Sequence, residues 1–213
     1  MHSKPSMRLG MAAKQGLAQG WIAALLLGTL ASSFRLVAQE RAQGGLHLGG
    51  PTVAITYNLE RAKIAGTGSG GFWLQGGGGD IALPIYKGLS LAGSVNGEHA
   101  SNIRPGVNLS KVTYLAGPRY TFAARSHMQL FGEGLFGAAH GFDSLFPTST
   151  GVTSTASSYA IQLGGGLDIA MHGGLGLRAL EADYVRTGLP NNGNNSQNDL
   201  RLAFGLSYQL GRK

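Results

Sequence analysis

Residues 200–210 read Leu-Arg-Leu-Ala-Phe-Gly-Leu-Ser-Tyr-Gln-Leu. Leu200, Leu202, Phe204, Leu206, Tyr208 and Leu210 are apolar, and Arg201, Ala203, Gly205, Ser207 and Gln209 between them are small or polar. A period of two with one apolar and one polar face is the pattern of a β-strand whose two sides meet different surroundings. Upstream the same period recurs in segments of about ten residues separated by turn formers, the pattern of a membrane-spanning β-barrel.

Alternation and turn signals give eight strands, near 46–59, 71–83, 89–98, 112–122, 128–140, 159–169, 175–187 and at the C-terminus. In the second, Phe72 and Leu74 are out of phase with Ile81 and Leu83, which predicts a bulge within 76–79. Pro118 has no N–H to give a ladder and predicts an irregularity in the fourth. In the seventh, Leu180, Ala182 and Tyr184 oppose Glu181 and Asp183, so Arg178 falls on the apolar face as a rim residue. Connections 84–88, 123–127 and 171–174 are tight, whereas 60–70, 99–110, 141–157 and 188–198 are longer and rich in Gly, Ser, Thr and Asn. Short turns at one end and long loops at the other, with an even strand count, match outer-membrane barrels with periplasmic turns and extracellular loops.

The first 38 residues read differently. Lys4, Arg8 and Lys14 precede an apolar run over 21–31, too short to span a bilayer and of signal-peptide length. Leu36-Val37-Ala38 offers a cleavage site before Gln39, with Ala31-Ser32-Ser33 as a competitor. Cleavage at Ala38 removes Lys4, Arg8, Lys14 and Arg35, leaving 13 basic against 10 acidic residues, a net +3. No basic cluster with stacking aromatics remains, so nucleic acid is not an expected partner. The chain has no cysteine, which excludes disulfides, thiolate nucleophiles and Cys-ligated metals.

Alternation alone leaves open whether the apolar face meets lipid or the core of a secreted lipocalin-like barrel. A soluble barrel carries charge on roughly a quarter or more of its surface, yet only 13% of this chain is charged. The aromatics fall in two belts. Tyr57, Phe72, Tyr114, Tyr159 and Tyr184 lie near the long-loop ends, and Tyr120, Phe122 and Tyr208 near the short turns, as expected where rings meet lipid head groups.

Gly117-Pro118-Arg119-Tyr120, Gly165-Gly166-Leu167-Asp168, Glu181-Ala182-Asp183-Tyr184 and the terminal strand together resemble the eight-stranded outer-membrane β-barrel family, similar to the transmembrane domain of outer-membrane protein A. The expected fold is all-β: an eight-stranded antiparallel up-and-down transmembrane barrel over 46–213. A cleavable helical signal peptide (1–38) and a short periplasmic segment (39–45) precede it. The resemblance implies an outer-membrane location, contact with outer-membrane lipid, delivery by the barrel-assembly machinery through the C-terminal strand, and a monomer. The expected role is structural, adhesive or surface-binding, carried by the long extracellular loops.

Arg119 and Glu133 point to the polar face of adjacent strands at similar distances from the turn between them, which predicts an interior ion pair, because a charge in a filled lumen needs a partner. Asp168, Glu181, Asp183 and Arg201 are expected to extend it. A narrow passive pore is the alternative, although eight strands leave an interior just wide enough for side chains to fill. Glu98-His99-Ala100-Ser101 invites comparison with outer-membrane lipid A deacylases, which resemble this architecture and use a His-x-Ser pair with a carboxylate. Spacing alone does not bring His99 and Ser101 within hydrogen-bond reach, so the expectation is a non-enzyme with no catalytic, cofactor or metal site. The glycine runs 76–79 and 164–166 are not phosphate loops, since no helix and no Lys-Ser/Thr follows them.

Overall fold

The computed structural model describes residues 50–63, 71–123, 127–191 and 194–211. The expected signal peptide and the segment 39–45 lie outside these residues. Among the described residues ten strands form: β1 (Thr52–Lys63), β2 (Gly71–Tyr86), β3 (Leu89–Arg104), β4 (Val107–Ala123), β5 (Met128–Phe142), β6 (Phe146–Thr148), β7 (Gly151–Thr153), β8 (Ala156–Ala170), β9 (Leu175–Thr187) and β10 (Gln197–Gln209). Eight of them close into an antiparallel barrel in the order β1-β10-β9-β8-β5-β4-β3-β2, and β6 and β7 make a small hairpin within the β5–β8 connection. The terminal strand is the seam: β10 pairs with β1 from Gln209–Thr52 to Leu200–Arg61, so neither edge is left open.

The two faces are inverted relative to a soluble barrel. Ile55, at 77% exposed, Phe136, at 63%, and Leu91, Val95, Leu130, Leu163, Leu180 and Leu206 all point outward, while the buried side of the wall carries Ser, Thr, Asn and paired charges. A lipocalin-like molecule would place these groups the other way round. A continuous apolar exterior of this kind is stable only against hydrocarbon or another apolar surface. Tyr114, Tyr159 and Tyr184 are exposed nearer the loop ends and Tyr120, Phe122 and Tyr208 nearer the short turns, whereas Tyr57, expected at the loop end, is exposed midway along β1.

Three expectations are corrected. The β1–β2 ladder runs without a shift from Thr52–Ala82 to Lys63–Gly71, so no bulge interrupts 76–79. Parity then places Phe72 inside, packed on the core with Leu74, and Trp73 takes the outward position instead. The extra residue in β2 is Ile85, beside the turn. In β9, Ala179 is the extra residue relative to both neighbours: Leu180 and Arg178 pair with consecutive residues of β8, Leu167 and Asp168. That bulge turns Arg178 from the apolar face to the lumen, where it is fully buried. Finally, β3 and β4 extend through much of the loop expected at 99–110, leaving only Pro105 and Gly106 between the strands. Gly117 and Pro118 drop out of the β4–β5 pairing, while the register on either side is kept.

Candidate functional site

The lumen holds two charged chambers. On the turn side, Arg119 donates from Nε to Glu133 Oε2 at 2.6 Å and from Nη1 to Asp80 Oδ1 at 2.7 Å. Arg178 donates to Asp80 Oδ2 (2.5 Å), Glu181 Oε2 (2.8 Å) and both oxygens of Asp168 (2.9 and 3.1 Å). Asp80 therefore bridges the two arginines. The Phe131 ring lies against both guanidinium groups, 4.4 Å from one and 4.7 Å from the other. Burying such ions costs several kcal/mol each, roughly, and chelation of this quality is what offsets it.

On the loop side, Lys111 donates to Glu60 and, at 3.3 Å, to Asp199. Arg201 donates to Glu98 at 3.2 Å and to Gln162, and lies 3.5 Å from Asp183. Gln162 links the chambers by donating to Glu133 Oε1 at 2.7 Å. Asn58 reaches over β2 to Asn96 at 2.8 Å, a bridge that exists because Gly78 lies beneath it: a Cβ there would meet Asn96 Oδ1 at 2.0 Å. Each chamber has two cations and four carboxylates, a formal excess of two negative charges.

Above the loop-side chamber the lumen is stoppered. Phe146, from β6, and Leu189, from the β9–β10 connection, are buried among Leu74, Ala100, Leu109, Ala139 and Ala160. Loop residues thus fold into the barrel mouth. Among the described residues the interior is filled by ion pairs and capped by apolar side chains, an arrangement that leaves no wide aqueous path.

One oxygen from each of Glu133, Glu181 and Asp183 lies within 4.8 Å of the others, a spacing a metal ion could use. Glu133 is already held by Arg119 and Gln162, and Glu181 by Arg178. Arginines therefore neutralise this group. Sequence reasoning missed Glu60, Asp80, Glu98, Lys111 and Asp199, although parity with Asn58, Ala82, Asn96, Thr113 and Arg201 places all five on the lumen face.

A second constellation lies on the outer wall at the loop end. His99 Nε2 is 3.0 Å from Ser101 Oγ, and His99 Nδ1 is 2.9 Å from Ser110 Oγ, which donates to Asp143 Oδ2 at 3.0 Å. The strand geometry achieves what spacing left open: residues two apart share a face, and the β3–β4 register sets His99 directly across from Ser110.

No protein-family model matches the chain, and no curated protein matches it. Solved structures do. Ail, the attachment invasion locus protein of Yersinia pestis, is 18% identical over 76% of this chain and 100% of its own, with a TM-score of 0.52. Neisserial surface protein A is 14% identical over 76% of this chain and 97% of its own, with a TM-score of 0.58. At these identities the likeness is one of architecture, and the chain has the fold of the eight-stranded outer-membrane β-barrels.

Proposed function

We propose that the protein is an integral outer-membrane β-barrel with a structural, adhesive or surface-binding role carried by its loop end. The observation that supports this most directly is the stoppered lumen. With the interior occupied by chelated charges and capped by Phe146 and Leu189, what the molecule can offer a partner is its exterior. The loop end is built outward: β2, β3 and β4 run 16, 16 and 17 residues, well beyond the 9–11, roughly, that cross a bilayer. Leu145 and Val152 are exposed around the β6–β7 hairpin, and the Arg61 guanidinium sits 5.3 Å from the Trp73 ring at the rim. Ail, with the same fold, is named for attachment and invasion, which fits an exposed loop end as the working surface.

The test is expression in a Gram-negative host. The protein is expected in the outer-membrane fraction, extracted only by detergent, with protease on intact cells cutting within 143–155 and sparing 171–174. Replacing 143–155 by a short turn should preserve heat-modifiable migration and abolish adhesion of expressing cells to matrix-coated surfaces. Recovery without detergent, or cleavage of the short turns first, overturns the reading. Planar-bilayer recording is expected to show no steady conductance.

A further inference from the structure

The charges of the wall are sorted by face. Every strand carboxylate among the described residues is paired with a cation of the lumen. Outside, the loop end of the seam, over β9, β10, β1 and β2, carries the exposed Arg61 and Arg186, and among the described residues neither forms an ion pair. Two cations are thus left without a counter-charge from the protein. Arg61 stands in one cross-strand row with Leu200 and the belt ring Tyr184, where aromatic rings meet head groups. Its guanidinium leans across β2: it lies 5.3 Å from the Trp73 ring centroid, and a Cβ on Gly71 would come within 2.9 Å of Nε. Arg186 is on the other side of β10, directly across from Asn198. The Tyr184 hydroxyl donates to Asn198 Oδ1 at 2.5 Å, which leaves the Asn198 amide nitrogen its N–H groups for a partner.

We propose that this face binds the headgroup of a multiply phosphorylated lipid of the outer leaflet, one phosphate on Arg61 and a second on Arg186 with Asn198. The spacing favours two anionic groups over one. Strand separation and the two-residue stagger across β10 put the two Cα atoms roughly 12 Å apart, and the Arg61 arm turns away from Arg186 toward β2. The cations therefore do not converge on a single anion. A guanidinium beside a ring keeps its in-plane N–H groups as a fork for phosphate oxygens, so Trp73 orients Arg61 without using up its donors.

A lipid is the occupant because the cations top an apolar wall. Toward mid-barrel the same strands expose Ile55, Leu200 and Phe204, against which acyl chains lie, whereas a phosphate free in solution has no use for that surface. Each arginine at a charged membrane surface is worth about a fivefold change in affinity. Two on one headgroup act together. At the opposite end of the barrel, Lys87 sits in a turn with its Nζ 5.5 Å from the Tyr86 ring, a lone exposed cation that provides the comparison.

This site rests on the outer wall facing lipid, and the experiment separates the two. The full chain carrying Trp21→Phe, which leaves Trp73 as its one tryptophan, is placed in phosphatidylcholine nanodiscs, with folding followed by heat-modifiable migration. Trp73 emission is then read as the mole fraction of lipid A bearing two phosphates, or of lipid A bearing one, is raised. A saturating shift is expected with two phosphates, and the one-phosphate lipid should need about a fivefold higher fraction. Arg186→Ala, remote from the fluorophore, should weaken the two-phosphate lipid about fivefold, as should Arg61→Ala, with migration unchanged. Lys87→Ala should change nothing. A folded barrel without a saturating shift, or a loss on Lys87→Ala equal to that on Arg186→Ala, overturns the proposal. Equal response to the two lipids overturns the two-phosphate assignment, and an equal shift with inorganic pyrophosphate in solution overturns the lipid assignment. Recovery as a soluble protein instead counts against the membrane reading, whatever Arg61 and Arg186 bind.

Discussion

The two chambers of the lumen each hold two cations and four carboxylates and solve the same problem unequally. On the turn side, Arg178 engages three carboxylates and Arg119 two, and the atom left without a hydrogen-bond partner among the described residues is Arg119 Nη2, on a guanidinium that lies against Phe131. On the loop side, Glu60 Oε2, Glu98 Oε2, Asp183 Oδ1 and Thr113 Oγ1 are buried without one. The difference follows from the donors. Two guanidiniums offer planar forks that chelate several carboxylates, whereas Lys111 is a point charge that Glu60 and Asp199 must share. The turn-side chamber is therefore the rigid floor of the barrel, and the loop-side chamber, under its apolar stopper, is the part that tolerates change.

Breaking the floor should have the largest effect. Arg178→Met strands Asp168 and Glu181 in the lumen, leaves Asp80 with Arg119 alone, and should destabilise by at least about 3–5 kcal/mol, read from the urea midpoint in micelles. Glu133→Gln leaves Arg119 its bond to Asp80, so its loss should sit at the lower end of that range, near ~3 kcal/mol. The double variant Arg119→Met, Glu133→Leu should recover much of the loss. Leu163→Arg and Leu206→Arg, outside both chambers, provide a ruler for the membrane face at about 2–4 kcal/mol. The smallest effect should come from the loop side. Glu98→Gln removes one of four carboxylates around two cations and brings a donor into a chamber where Glu60 Oε2 and Glu98 Oε2 are both buried without a hydrogen-bond partner. Stability should change by less than about 1 kcal/mol, in either direction. A loss on Glu98→Gln as large as that on Arg178→Met would erase the distinction between the chambers.

What could be read from the residues was local and periodic. The alternation of β10, the unequal connections and the scarcity of charge lead to eight strands, a closed barrel and a lipid-facing side. Parity failed where it was broken or over-read. Phe72 and Leu74 look like lipid-facing residues because they are large and apolar, and they face inward because the mouth of this barrel needs an apolar lining beneath Phe146 and Leu189. Arg178 looks like a rim residue because nothing in the sequence marks Ala179 as the residue that slips out of register.

The sequence by itself determined the architecture, since a period of two with one wet and one greasy face has few closed solutions, and only one of them meets hydrocarbon with its greasy side. Tertiary structure decided which charges meet. Asp80 and Arg178 are 98 residues apart and Lys111 and Asp199 are 88 apart, and their pairing depends on barrel closure and, for Arg178, on the bulge in β9. It also decided that Asp143, from a loop, completes a relay begun by His99 and Ser101. Spacing along a strand sets the face a side chain occupies, but the register between strands sets its neighbour, and register belongs to the closed sheet rather than to any one segment.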